Sequence, residues 1–382
     1  MPSVLEPTTA REAADMLKSA GASKQRLTTG GNFSKRLMAG PDDAGAGLTL
    51  TTRRLNRLLK YEPRDLTVSV QTGMLFRELE TILRRNRQMI PLDPMFSEDC
   101  TVGGVIAANT NGPRRRQYGT VRDFVIGMHF AMLNGRLVET GGMVVKNVAG
   151  LDMGKLMIGS FGTLALVTSV NFKLVPVPPA ERTFAVPFAT SEAAIEARDK
   201  LIRGPLQPAA VDLLNPAMAE QEKFSGWTLL LRFGGNETLM ERCEREVVAL
   251  GDAQTGTPAF WQDVQNLTPR FLAKHADGAV VRISCALDQV GAIMARLDVA
   301  AIARAGTGVI YAYFPRSASA AASLAKAALE GLKAVIEFAP DSARRKIDLW
   351  PAPGTDFAIM EKVKRMFDPD LLLNRGRLYR RI

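Results

Sequence analysis

The sequence of 382 residues has little cysteine and little histidine, with three residues of the first kind and two of the second. Cys100, Cys243 and Cys285 lie far apart and form no CxxC pair. Their spacing therefore supports neither a disulfide framework nor a zinc or iron–sulfur site, and we predict no metal site. Because free cysteine behaves as a small apolar residue, we expect the three thiols to be structural and buried.

Long apolar runs are also absent. No stretch approaches the roughly 20 residues of a membrane-spanning helix. The N-terminal stretch MPSVLEPTTAREAADML has no basic segment followed by an apolar core, so no signal peptide is predicted. We expect a cytoplasmic protein, or one peripheral to the inner membrane. With 46% hydrophobic and 23% charged residues, the composition is that of a globular protein, and the length favours two domains.

The sequence is strongly basic, with a formal net charge of +10 at pH 7. A basic protein suits an anionic partner, such as a nucleic acid, a phosphate-bearing cofactor, an acidic protein or a membrane surface. The basic residues are scattered and no aromatic stacking platform lies among them, so we predict no nucleic-acid partner.

Local patterns predict an α+β protein whose character changes at the proline-rich segment 175–182. Before it, Thr9 followed by Glu12 indicates a capped helix, and Asn134-Gly135 indicates a β-hairpin. Strands are predicted in DLTVSVQTG and GTLALVTSVNFKLVP, with a helix in MLFRELETILRRNRQ. From 183 to 340 four strand–helix pairs follow one another. They predict a largely antiparallel sheet with helices on one face.

Three segments rich in small residues carry the functional signal: TTGGNFSK, TVGGVIAANTNG and NVAGLDMGKLMIGSFGT. They match neither the GxGxxG fingerprint nor the P-loop, so Rossmann and P-loop folds are not predicted. Successive backbone N–H groups in a glycine-rich turn can bind an anion such as a diphosphate. We interpret all three segments as loops that together hold one extended dinucleotide.

These segments, with PLDP, GPRRRQYGTVRDFVIG and the terminal FDPDLLLNRGRLY, resemble the FAD-binding domain of the vanillyl-alcohol oxidase and p-cresol methylhydroxylase superfamily. Within it, the chain resembles the FAD-binding subunits of bacterial glycolate oxidases. The resemblance implies an α+β fold with three parts: a two-subdomain FAD-binding PCMH-type domain at 1–178, an α+β, ferredoxin-like cap domain at 179–345, and a C-terminal helix and tail at 346–382 that returns to the FAD domain.

The resemblance also implies a set of FAD-binding residues: Gly30, Gly31, Asn32, Phe33, Ser34, Lys35, Pro94, Thr101, Gly103, Gly104, Ala107, Asn109, Gly112, Tyr118, Gly119, Asp152, Gly159, Gly162, Thr163, Leu164 and Arg377. Asn374 and Gly376 complete the C-terminal signature. Two residues depart from the family pattern, Asn32 in place of a third glycine and Arg375 in place of a proline. Covalent attachment through histidine is excluded at the first loop because that loop has none, so noncovalent FAD is expected.

The activity implied is the oxidation of a small hydroxy acid, with hydride transfer to flavin N5 and electrons passed to a homologous flavoprotein subunit and an iron–sulfur subunit of a glycolate oxidase complex. Arg115, Tyr118 and Lys146 are weak catalytic candidates, chosen for their place in the motifs. The run Arg114 to Arg116 is open to three interpretations: a solvated turn, a clamp for a substrate carboxylate, or a contact to an acidic partner subunit. Two other functions stay open, a stand-alone FAD-dependent dehydrogenase and a scaffold that binds flavin weakly or not at all.

Overall fold

The computed structural model describes residues 3–43, 45–143, 152–257 and 259–382, and these residues form two compact units. The first unit comprises the chain up to Asn111, Thr120–Val177 and Ala352–Ile382. The second comprises Gly112–Gly119 and Pro178–Pro351. The domain bounds given by the sequence stay a prediction.

The first unit contains a parallel and an antiparallel sheet with short helices. Its strands are β1 Ser3–Leu5, β2 Leu27–Gly30, β3 Leu48–Thr51, β4 Leu58–Glu62, β5 Thr67–Gln71, β6 Gln88–Met89, β7 Val125–Ala131, β8 Leu137–Gly141, β9 Leu166–Lys173 and β10 Val175–Pro176. Its helices are α1 Ala10–Ala22, α2 Phe76–Arg84, α3 Val102–Ala108, α5 Val121–Phe124, α6 Gly154–Met157 and α15 Phe357–Phe367, with a 3-10 turn at Pro63–Asp65.

The second unit contains one large sheet. Its strands are β11 Ala180–Phe188, β12 Ala210–Leu214, β13 Trp227–Gly235, β14 Gln254–Gly256, β15 Ala279–Ser284, β16 Ala301–Arg304, β17 Val309–Phe314 and β18 Lys333–Phe338. Its helices are α4 Arg115–Tyr118, α7 Ser191–Arg203, α8 Pro216–Gln221, α9 Glu237–Val248, α10 Phe260–Gln265, α11 Leu267–Lys274, α12 Val290–Ala295, α13 Ser317–Leu329 and α14 Asp341–Arg344, with a 3-10 turn at Leu287–Gln289.

The parallel sheet of the first unit has the order β1-β3-β2 and carries the first glycine-rich loop at the end of β2. Helix α1 packs beside it through its alanine- and leucine-rich face. The predicted cap of α1 is present, since the Thr9 hydroxyl accepts a hydrogen bond from the Glu12 N–H at 3.1 Å. The Glu12 carboxylate accepts from the N–H of Thr8 at 2.7 Å, one residue earlier than a standard capping box.

The antiparallel sheet of the first unit has the order β4-β5-β9-β7-β8. The predicted hairpin is confirmed, because β7 and β8 pair on either side of Asn134-Gly135, where Gly135 has a φ of +81°. The predicted strand in 162–176 is also present as β9. It is buried on both faces, since it lies at the centre of the sheet, whereas its sequence pattern predicted one buried face.

The sheet of the second unit has eight strands in the order β14-β11-β13-β12-β16-β17-β15-β18, and every pairing is antiparallel. This order contains the ferredoxin-like β-α-β-β-α-β arrangement twice, once in β11–β14 and once in β15–β18, and the two halves join through β12 and β16. The predicted α+β fold is confirmed. The sequence patterns missed β12, β14, β16 and β18, which are short.

One sequence interpretation is wrong at the glycine-rich segment around residue 104. We expected a loop, and the structure has helix α3 over Val102–Ala108. The Thr101 hydroxyl caps this helix by accepting from the Gly104 N–H at 3.1 Å. Val102, Val105 and Ile106 are buried on one face at helical spacing, and this packing outweighs the low helix propensity of glycine.

Candidate cofactor-binding site

A cavity in the first unit is formed where several predicted segments meet. The loop that follows β2 provides one side and the small residues of α3 provide another. The third side consists of Phe161 from the segment before β9 and of Asn374 and Arg377 from the C-terminal tail. These walls are distant in sequence, so the sheets and the tail bring them together.

The first loop is shaped for close approach to a ligand. A Cβ atom placed on Gly31 would lie 2.2 Å from the Thr101 hydroxyl oxygen, so no side chain fits there. The main-chain N–H groups of Gly31, Asn32, Phe33 and Ser34 donate no hydrogen bond to another residue in the described part of the chain. Such a run of unused donors at the edge of a cavity is a typical anion-binding arrangement.

Lys35 is a buried basic side chain in the lining of this cavity. Only 8% of the residue is exposed, and its Nζ atom has no hydrogen-bond partner among the described residues. Burial holds the pKa of this lysine below its ordinary value, because desolvation disfavours the ammonium form. A buried, unpaired lysine in the lining of a cavity favours an anionic ligand.

Asn374 ties the tail to two of the predicted loops. Its Oδ1 atom accepts from the N–H of Thr29 at 2.6 Å. Its Nδ2 atom donates to the carbonyl of Phe161 at 2.7 Å and to the carbonyl of Thr29 at 3.1 Å. The Asn374 side chain therefore holds the end of β2, which leads into the first loop, and Phe161, which belongs to the third segment.

Arg377 also lines the cavity, but its donors are used within the protein. The guanidinium donates to the carbonyl oxygens of Met38 at 2.7 Å and Gly40 at 2.8 Å and pairs with Asp42 at 3.2 Å. We conclude that Arg377 shapes the end of the first loop. Arg36 pairs with Asp42 at 2.7 Å. Among the basic residues that line the cavity, Lys35 therefore has no described partner for its side chain.

The third loop lies against the C-terminal end of α3. The N–H of Gly159 donates to the carbonyl of Ile106 at 3.1 Å, and the N–H of Phe161 donates to that of Ala107 at 2.9 Å. Gly162 has a φ of +69°, and a Cβ there would lie 2.7 Å from Nδ2 of Asn374. The second and third predicted segments are therefore joined by main-chain hydrogen bonds.

Other predicted residues take different positions. Pro94, Gly103 and Leu164 belong to the first unit, and Pro94 and Leu164 are buried. Asp152 is exposed and pairs with Lys155 at 3.1 Å. Asn109 ends α3 in the left-handed conformation, with φ of +49°. The Thr163 hydroxyl donates to the Ser160 carbonyl at 2.7 Å.

The segment Gly112–Gly119, with the predicted cofactor-binding residues Gly112, Tyr118 and Gly119, belongs to the second unit. The arginine run lies here and is not a solvated turn. Arg116 donates to the carbonyl of Pro208 at 3.1 Å and to the side chain of Gln207 at 3.1 Å, and Arg114 is buried. Arg115, a catalytic candidate, is exposed, and Tyr118 is half-buried. The third candidate, Lys146, lies outside the described residues.

Sequence reasoning missed a buried ion pair that supports the cavity from α15. The Lys364 ammonium pairs with Asp368 at 2.6 Å and donates to the carbonyls of Thr163 at 2.7 Å and Leu373 at 3.0 Å. Burial lowers the pKa of Lys364, while Asp368 opposes that change. The motif FDPD contains Asp368, and the i,i+4 spacing to Lys364 is the sequence signal that could have identified the pair, although it does not show that the pair is buried.

The three cysteines differ in burial. Cys100 and Cys243 are buried and Cys285 is half-buried. Burial raises the pKa of the Cys100 thiol to about 11, so this group is protonated at neutral pH. Within 3–43, 45–143, 152–257 and 259–382, no group of three or more His, Cys, Asp or Glu residues is arranged to hold a metal ion. In the same ranges no helix has both the length and the apolar character needed to cross a bilayer.

Comparisons with known proteins agree with this geometry. Residues 2–141 match the FAD binding domain family. Over 98% of this chain and 88% of the other, the fold superimposes on p-cresol methylhydroxylase with substrate bound, with a TM-score of 0.76 at 16% sequence identity. The chain therefore has the PCMH-type FAD-binding fold.

Three curated relatives narrow the assignment. The chain is 30% identical over 275 residues to glycolate oxidase subunit GlcE of Escherichia coli, covering 72% of this chain and 73% of that protein. It is 26% identical over 423 aligned positions to D-lactate dehydrogenase of Anaerostipes hadrus, covering 98% and 89%. It is 33% identical over 179 residues to glycolate oxidase subunit GlcD of Bacillus subtilis, but spans only 38% of that protein. The chain belongs to the family of FAD-linked oxidoreductases that includes the glycolate oxidase subunits.

The residues of the cavity fit FAD. The glycine-lined loop with unused N–H donors and the buried Lys35 ammonium suit a diphosphate, which is the anionic part of this cofactor. The expectation that the chain binds FAD is confirmed by the family match.

Proposed function

We propose that the chain is an FAD-dependent dehydrogenase of a small 2-hydroxy acid and that it works as the flavin-binding subunit of a glycolate oxidase complex. The observation that carries the proposal is the cavity lined by the unused N–H donors of the first loop and by the unpaired Lys35. The hydroxy-acid substrate is supported by the similarity to GlcE and to D-lactate dehydrogenase.

When bound, FAD supplies an acceptor for the hydride that leaves the α-carbon of the substrate. The residues of this chain have four tasks in such a reaction. The first loop and Lys35 bind the diphosphate, and Asn374 holds two of the loops in position. A cation for the substrate carboxylate and a base for its hydroxyl proton are also required. Arg115, Tyr118 and Lys146 remain our candidates for these two roles.

Noncovalent attachment of the flavin is part of the proposal. The two histidines of the chain have other neighbours: His129 is paired with Glu139 at 3.3 Å in β7, and His275 stacks on Phe271 with ring centroids 4.7 Å apart. Neither belongs to the loops that line the cavity. We therefore expect acid precipitation to release the flavin.

Electrons must leave through partners in this proposal. The three cysteines of the chain are separated and two of them are buried, so they do not assemble a cluster site. A homologous flavoprotein subunit and an iron–sulfur subunit are the proposed acceptors. We propose a cytoplasmic location, with attachment to the inner membrane through the complex.

A scaffold that binds flavin poorly is the second candidate, and it was suggested by two departures from the family pattern. The Asn32 side chain donates to the carbonyl of Asp99 at 3.0 Å, and Arg375 is exposed. Asn32 is thus bonded to a neighbouring segment, and Arg375 is not among the residues that line the cavity. The structure thus gives the scaffold no specific support, and we favour the flavin-bearing subunit.

The test is a visible absorption spectrum of the purified chain before and after acid precipitation, followed by a turnover assay. We expect flavin bands near one equivalent that move to the supernatant. Glycolate, D-lactate and D-2-hydroxyglutarate are then offered with an artificial electron acceptor. Turnover by the chain alone favours the stand-alone dehydrogenase, and turnover that requires the partner subunits favours the complex. A colourless chain that takes up no added FAD contradicts both.

A further inference from the structure

We propose that Lys35 is the cation that neutralises the diphosphate of FAD, and that it takes up a proton from solvent when the cofactor binds. The inference rests on FAD as the cofactor and is independent of the hydroxy-acid substrate. It assigns a specific binding role to one side chain and makes cofactor loading dependent on pH.

Lys35 lies in the lining of the cavity and beside α3. Its side chain is among those that line the cavity, and it passes close to the main chain of α3, since a Cβ on Gly104 would lie 3.7 Å from its Nζ atom. At 8% exposure the ammonium has lost most of its hydration. A buried ammonium with no partner is costly, and such groups are normally found paired with an anion.

The charged groups around Lys35 do not provide that anion. The nearest titratable neighbour is the Cys100 thiol, whose raised pKa keeps it protonated and neutral. Asp42 lines the same cavity, but it is paired with Arg36 and Arg377. The cavity therefore contains two arginines balanced in part by one carboxylate, and a lysine balanced by none of the described groups.

Burial without a partner anion favours the neutral amine of Lys35 over the ammonium more than at an exposed lysine. Desolvation is the larger cause and lowers the pKa of this lysine from its ordinary value of 10.5, while the electrostatic influence of Cys100 opposes the change. A bound diphosphate brings two negative charges to the loop, and an opposite charge within about 4–6 Å raises the pKa of a lysine. The free amine, one proton from solvent and FAD thus combine into a complex that contains the ammonium and the diphosphate.

The sign of the pH dependence follows from this balance. Between the lowered pKa of the free protein and the higher pKa of the complex, each FAD that binds takes up a proton. The affinity for FAD then falls as the pH rises, by about tenfold per pH unit where uptake is complete. Below the pKa of the free protein, binding is independent of pH at this residue.

Calorimetric titration of the full-length apoprotein with FAD tests the proposal directly. We would titrate at several pH values between about 7 and 10 in two phosphate-free buffers that differ in ionisation enthalpy, since the difference in heat reports the protons exchanged. The expected result is proton uptake that rises towards one per FAD as the pH increases, with an affinity that falls over the same interval. Equal heats in the two buffers at every pH, or an affinity that does not change with pH, overturn the proposal.

Two variants localise the proton. Lys35→Met keeps the length of the side chain without its charge, so we expect at least tenfold weaker FAD binding with no proton uptake. Lys362→Met, at an exposed position of α15, should behave as wild type. Proton uptake that persists in Lys35→Met assigns the proton to another group and refutes our inference. If proton uptake is normal but no hydroxy acid reduces the flavin, then the proposed substrate is refuted and the role of Lys35 is not.

Discussion

Replacement of Asn374 by alanine should uncouple the C-terminal tail from the loops of the cavity. The substitution leaves the buried N–H of Thr29 without its acceptor at 2.6 Å and the carbonyl of Phe161 without its donor at 2.7 Å. A buried polar group that loses its partner costs about 1–3 kcal/mol. For two such groups we expect the free energy of unfolding of the first unit to fall by about 2–5 kcal/mol.

The expected effect can be measured in two ways. A loss of that size lowers the Tm of a unit of this length by about 5–15 °C, which thermal unfolding of the apoprotein followed by circular dichroism detects. Flavin fluorescence quenching measures the affinity for FAD, which should fall because two of the loops are no longer held together. Asn374→Asp keeps the oxygen acceptor for Thr29 but places a second oxygen 2.7 Å from the carbonyl of Phe161, so it should destabilise the first unit at least as much as alanine.

A matched control is available in the second unit. Asn236 caps α9 by accepting from the N–H of Leu239 at 2.9 Å, and its replacement by alanine should cost about 1 kcal/mol without changing FAD affinity. If Asn374→Ala unfolds at the wild-type temperature and binds FAD as tightly as wild type, then the tail does not position the loops and our account of this residue is wrong.

Three further variants test other parts of the site. Gly31→Ala places a methyl group 2.2 Å from the Thr101 hydroxyl, so the purified variant should retain little flavin in its absorption spectrum. Lys364→Met leaves the buried Asp368 carboxylate without its cation, and we expect urea denaturation to show a loss of about 3–5 kcal/mol. Lys35→Met should make the apoprotein more stable than wild type. This difference should shrink as the pH rises from the lowered pKa of Lys35 towards 10.5, because the wild-type lysine loses its unfavourable charge there.

Each of the three variants has a result that would contradict its prediction, and the glycine variant has a matched control. Gly251→Ala adds a methyl group with its nearest neighbour at 3.5 Å, so it should retain full flavin, and equal flavin loss in both glycine variants would point to general misfolding. A Lys364→Met variant as stable as wild type would show that Asp368 is satisfied by main-chain donors alone. A stability difference for Lys35→Met that grows with pH would reverse the sign that we derive.

The strands and helices with strong local patterns could be predicted from the sequence. The hairpin at Asn134-Gly135 has a turn chemistry that allows little else, and the capped helix after Thr9 carries its own start signal. Helix α3 could not be predicted this way. Its glycines weaken the helical signal, and the helix forms because Val105 and Ile106 are buried by chain segments that are distant in sequence.

The candidate site was predictable in its composition but not in its assembly. The glycine-rich loop and Lys35 stand together in TTGGNFSK, so their proximity follows from the sequence. The joining of Thr29, Phe161 and Asn374 depends on contacts between residues 213 and 345 positions apart, which no local pattern reports. The pairing of Lys364 with Asp368 follows from helical spacing, but its burial follows only from the packing of the tail.

The central claim is that the flavin of this chain is reduced by a hydroxy acid. The most direct test is the anaerobic addition of glycolate to the FAD-loaded chain, alone and with its proposed partner subunits, while the visible flavin absorbance is recorded. We predict bleaching of the flavin bands on addition of glycolate and their return when air or an artificial acceptor is admitted. Flavin bands that stay unchanged with glycolate, D-lactate and D-2-hydroxyglutarate under both conditions would contradict the account.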